Sequence, residues 1–86
     1  MKLEKIKQEL LNEELALYDL DNRMMRFGYI SKADNEAWDI YLNHGSIVYT
    51  EVEENANPSI KIHFDVVVPV FHKKYTGIKI TKVEEF

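Results

Sequence analysis

The chain contains no cysteine, three glycines, two prolines and a single tryptophan in 86 residues. Without cysteine it has no disulfide and no thiolate metal site. Its length sits just above the size at which a core needs such staples, which leaves burial against a second copy or a partner as the route to extra stability. A cysteine-free chain is also compatible with a reducing compartment. Gly28, Gly45 and Gly77 each stand alone at the boundary of an expected element, so no glycine-rich loop is present to cradle a phosphate. No run approaches the roughly 18 apolar residues of a membrane span. The opening Met1-Lys2-Leu3-Glu4-Lys5 leads into glutamate-rich sequence rather than the apolar core of a secretory signal, so a cytoplasmic location is expected. Asn57-Pro58-Ser59 is not a glycosylation acceptor, because proline holds its middle position.

What is present describes a folded domain. Hydrophobic residues make up 45% of the chain and aromatic residues 12%, well above disordered composition. One domain over residues 1–86 is expected. The net charge of −4 is uneven: residues 1–28 carry −1, residues 29–57 carry −5 and residues 58–86 carry +2. The acidic middle argues against a nucleic-acid-binding face there, and the basic excess at the C-terminal end is too small to indicate one.

Apolar residues recur at steps of three and four through Leu3, Ile6, Leu10, Leu17, Leu20, Met24 and Phe27, which predicts a long helix from Leu3 to Phe27. Leu11, Leu15, Tyr18 and Met25 widen its stripe to roughly two-thirds of the circumference, more than one sheet needs. A kink near Asp21 is allowed by the poor helix formers around it. Gly28 suits the position after a helix end, and Ser31-Lys32-Ala33-Asp34 has the form of a capping box. A second helix is predicted from Lys32 to Asn43, stopped by His44-Gly45. The period then changes to two. Strands are predicted over Ser46–Val52, Ile60–Val68 and from Ile78, with a polar loop at Glu53–Pro58 and a turn at Lys73–Gly77. The expected fold is α+β: a helical hairpin packed on a three-stranded antiparallel meander.

Catalytic and metal chemistry find little support. His44, His63 and His72 have no second histidine within four residues, although His63 and Asp65 share a strand face. There is no Gly-x-Ser-x-Gly elbow, and the carboxylates fall on solvent-facing periods rather than in apolar pockets. No enzymatic activity, cofactor or metal is expected.

Three surfaces remain as candidates. On the second helix, Ala33, Ala37, Ile40, Tyr41 and His44 share the packing face. Trp38 flanks it, either as core or, with Tyr49, as an exposed apolar anchor for a partner. The carboxylates Asp34, Glu36, Asp39, Glu51, Glu53 and Glu54 are expected to gather at one end, as a solubilising surface or as a phosphate-like face that occupies a basic groove. Leu11, Leu15 and Tyr18 form either a packed surface or a helical seam with a second copy. The exposed sheet face, with Lys61, His63 and Lys79, is the remaining binding candidate, for a small ligand or nucleic acid.

In composition and size, the Lys/Ile/Asn/Glu/Tyr-rich runs Lys2–Leu11 and Asn43–Asn57 resemble the small, acidic, cysteine-free accessory proteins of phages and mobile elements, anti-CRISPR proteins included. That resemblance implies binding and blocking of a host enzyme or defence complex. The functional expectation is therefore a non-enzymatic protein-binding module that occludes a basic, nucleic-acid-binding surface of a larger protein, with self-association through the first helix as the alternative.

Overall fold

The computed structural model describes residues 2–31, 37–53 and 57–86. Its elements run α1 (Lys2–Leu10), β1 (Glu14–Ala16), α2 (Leu17–Arg26), β2 (Tyr29–Ser31), α3 (Ala37–His44), β3 (Ser46–Glu51), β4 (Ile60–Val68), a 3-10 turn (Lys73–Tyr75) and β5 (Gly77–Glu85). The five strands form one antiparallel sheet in the order β1-β5-β4-β3-β2. The fold is α+β as expected, but the sheet has five strands rather than three.

The predicted long helix is two helices separated by a strand. Leu3, Ile6 and Leu10 form one stripe, and Leu17, Leu20 and Met24 repeat the same intervals on the other. The stripe looked too wide because two separate stripes were superposed on one axis. Asn12 makes the break, with a φ of 68° in the left-handed region that asparagine tolerates better than most residues. Its N–H donates to Ile80 O at 2.9 Å, and Ile80 N–H donates to Glu13 O at 3.0 Å. Sheet bonds to β5 thus replace the helical ladder, and β1 continues the pairing through Leu15↔Ile78.

Arg26 ends α2, where Gly28 takes a φ of 84° and its N–H donates to Met25 O at 2.9 Å. Ser31 lies in β2, opposite Tyr49 of β3. The rest of the proposed capping box and the start of the second predicted helix lie outside the described residues.

From Gly45 onward the strand bounds read from the sequence follow the structure closely, although Val66 and Val68, expected on the buried face with Ile60, Ile62 and Phe64, are exposed. Gly45 turns α3 into β3 with a φ of 67°, and its carbonyl accepts the Phe64 N–H at 2.9 Å. Period two puts Ile47 and Tyr49 on the inner face of β3, opposite Ile62 and Ile60 of β4. Phe64, Ile78, Ile80 and Val83 extend that face, and Ile6, Leu10, Leu17, Leu20 and Met24 of α1 and α2 cover it in one cluster. Two irregularities interrupt the β4–β5 register, at His63/Phe64 and at Val66/Val68.

Candidate functional site

Of the six residues expected on an acidic face, Asp39, Glu51 and Glu53 are among the described residues. Asp34, Glu36 and Glu54 lie outside the described residues. Asp39, exposed on α3, has its Oδ1 3.6 Å from Lys73 Nζ. Glu51 lies at the end of β3, where Lys2 Nζ donates to it at 2.6 Å and Asn57 Nδ2 donates to both its oxygens at 3.1 Å. Its side chain is 4% exposed. The Lys2 hydrogen bond holds it below the usual carboxylate range. Glu53 shares an open groove with Lys2, Lys5 and Arg26, so cations of α1 and α2 offset the charge there.

Tyr49 is not an exposed anchor. It is completely buried, and its hydroxyl donates to the Asp21 carboxylate. Alternation from Ile47 is the sequence signal that places it inward. Trp38 is half-buried against the core, with its ring edge-on to Tyr41 at 6.3 Å. The helical seam also dissolves, because its three residues belong to different elements. Leu11 is exposed in the turn after α1, Leu15 is partly buried in β1, and Tyr18 lies on α2, edge-on to Tyr75 at 5.9 Å.

The outer sheet face carries Lys61 and His63, as read from the alternation. Lys61 Nζ lies 5.2 Å from the Phe86 ring centroid. His63 Nε2 is 2.7 Å from Glu84 Oε1, and Lys82 Nζ is 3.0 Å from the other oxygen. Lys79 is exposed on β5. An open cleft of about 480 Å³ lies between this face and α3, lined by residues that include Ile40, His44, Val48, Thr50 and Lys61. Among the described residues, no group of three histidines or carboxylates could hold a metal ion. No helix is long and apolar enough to cross a membrane among them.

The His63 hydrogen bond, then that of Lys82, lowers the Glu84 pKa to about 2 from an ordinary 4.5. Because the folded value is the lower one, this carboxylate contributes stability above about pH 4.5 and loses it as the pH falls toward 2. Glu84→Gln is therefore expected to give a shallower fall in melting temperature between pH 5 and 2 than wild type, with the difference shrinking as salt is added. Melting curves across that range check it, and identical slopes would remove the assigned role of Glu84.

The surface that sequence reasoning missed lies at the β4–β5 hairpin. Alternation of charge along β4 stops at Asp65, and Val66-Val67-Val68-Pro69-Val70-Phe71 follows without a charged residue. All six are exposed, and Phe71 is 91% exposed. Phe71, His72, Tyr75 and Tyr18 form a chain of edge-on rings with successive centroids 5.5, 6.4 and 5.9 Å apart. Beside it, Trp38, Phe71, His72, Lys73 and Lys74 line an open cleft of about 310 Å³. The missed signal was the loss of alternation after Asp65, which marks apolar residues on both faces of a strand rather than one. The chain matches no protein-family model, no curated protein and no solved structure.

Proposed function

We propose that this chain is a non-catalytic protein-binding module whose contact surface is the β4–β5 hairpin tip. The observation that carries this reading is Phe71, a large ring left 91% exposed beside Trp38, His72 and two lysines. A bare aromatic in a monomer costs solvation free energy, and aromatic side chains dominate binding hot spots. Lys73 and Lys74 give the rim positive charge, which fits a partner patch with an apolar centre and acidic edges. Binding there would act by occlusion of a site on a larger protein, as expected of an inhibitor or regulator. The charge complementarity is thus opposite to that of an acidic, phosphate-like face.

Capture from a lysate of the cells that encode the chain tests this, with wild type, Phe71→Ser and Glu53→Lys immobilised in parallel. Phe71→Ser is expected to weaken retention of the partner at least tenfold without lowering the melting temperature. Glu53→Lys is expected to retain it. If all three forms hold back the same proteins, the tip is not the contact surface.

A further inference from the structure

Three short side chains, those of Ser46, Val48 and Thr50, take the outward positions of β3 and alternate with the buried Ile47 and Tyr49. Groups of that size leave room beneath α3, and the result is the open cleft of about 480 Å³. Its volume falls within the range of small-molecule sites, about 300–1,000 Å³. It shares no lining residue with the cleft at the hairpin tip. Ile40 of α3 and Phe86, which follows β5, line it with large apolar groups and are 55% and 69% exposed.

Charge decides what such a cleft would take. Lys61, on its floor, lies opposite Val48 across the β3–β4 ladder and opposite Glu84 across the β4–β5 ladder. Glu84 does not pair with it, because its two oxygens are engaged by His63 at 2.7 Å and Lys82 at 3.0 Å. Lys61 is left half-buried, with Nζ 5.2 Å from the Phe86 ring centroid and no carboxylate partner among the described residues. No acidic side chain among them lines the cleft. An ammonium group held against apolar surface without a counter-charge attracts an anion and repels a cation. Hydroxyls of Ser46, Thr50 and Ser59 on the same lining can donate to further anionic oxygens.

We propose that this cleft binds a small organic anion, a carboxylate on an apolar body. Lys61 would hold the carboxylate, and Ile40, Val48 and Phe86 would cover the body. A body of about ten to fifteen heavy atoms, at roughly 20 Å³ each, fills about half of the space. A nucleic-acid strand fits less well, because it needs a track of free cations and Glu84 already engages His63 and Lys82. The cleft is open on one side, so half-saturation is expected at roughly 0.1–1 mM.

The test is a titration of the purified chain with 2-naphthoate, followed residue by residue in amide proton–nitrogen NMR spectra. The amides of Val48, Thr50 and Lys61 are expected to move together and to saturate. The neutral 2-naphthamide, nearly identical in shape, is expected to bind at least fivefold more weakly. Lys61→Gln should lose the same factor for the acid and bind acid and amide alike. Ile40→Glu, which sets a carboxylate on an exposed wall position, should weaken the acid at least fivefold while its spectrum stays that of a folded chain. Phe71→Ser is expected to bind 2-naphthoate as wild type does, so this result and the capture experiment stand or fall separately. No saturation up to about 10 mM overturns the proposal. So do shifts centred on residues 71–74, a loss of binding in Phe71→Ser, equal binding of acid and amide by wild type, or wild-type affinity in Lys61→Gln or Ile40→Glu.

Discussion

Replacing Tyr49 by alanine is expected to remove most of the stability of this domain, and the conservative Tyr49→Phe to remove a smaller, separable part. Truncating a buried aromatic costs about 3–5 kcal/mol through lost transfer free energy and the cavity left behind. The alanine variant also leaves the Asp21 carboxylate without its phenolic donor. A chain of 86 residues has roughly 4–13 kcal/mol in total, so little would remain. Tyr49→Phe keeps the ring and loses only the hydrogen bond to a charged acceptor, for about 1.5–3 kcal/mol. Urea titrations followed by circular dichroism measure both. A wild-type midpoint in Tyr49→Ala would contradict the burial of this residue.

The same pair has a pH signature. Burial raises the Asp21 pKa above 3.8, and the Tyr49 hydrogen bond opposes that rise. With the folded value above the unfolded one, the Asp21 contribution is greatest below about pH 3.8 and falls as the pH rises through the raised value. Tyr49→Phe removes the opposing bond, so the fall is expected to extend to higher pH than in wild type. Asp21→Asn should abolish it.

A second large effect separates the residues of the superposed stripes. Leu20→Ala, at a completely buried position on α2, is expected to cost about 3–4 kcal/mol. Met25→Ala, 59% exposed on the same helix, is expected to change stability by less than about 1 kcal/mol. Leu11→Ala, in the turn after α1, should also be mild. A single helix from Leu3 to Phe27 with a partner on its second face would instead make Leu11 matter in a concentration-dependent way. Equal losses at Leu20 and Met25 would argue for a different packing of α2.

The β half was more legible in the sequence than the first third. Period two in Ile60-Lys61-Ile62-His63-Phe64 has one interpretation, because a strand buries alternate residues whatever its neighbours. Ile47 and Tyr49 follow the same rule, and treating Tyr49 as an anchor set a residue-type preference above it. Helical spacing carries less information about length. The intervals of Leu3, Ile6 and Leu10 recur in Leu17, Leu20 and Met24, and a periodicity argument joins them unless something local forbids it. Asn12 is the only residue in the turn with a left-handed preference, and it breaks the helix only because Ile80, 68 residues later, supplies the alternative hydrogen bonds.

The candidate site divides along the same line. That Val66-Val67-Val68-Pro69-Val70-Phe71 lacks charge could be read from the chain, but that this run is uncovered could not. Its exposure depends on β3 beginning only at Ser46, opposite His63, so that β3 does not reach Asp65–Val68. The neutralising of Glu51 likewise required α1 to bring Lys2 alongside it. Composition and period alone determined an α+β chain without cysteine, with an inner strand face of Ile60, Ile62 and Phe64, because those follow from local geometry and side-chain polarity. Which helix ends, how far β3 covers β4 and which carboxylate keeps its charge were decided by the tertiary structure, since each depends on a partner distant in sequence.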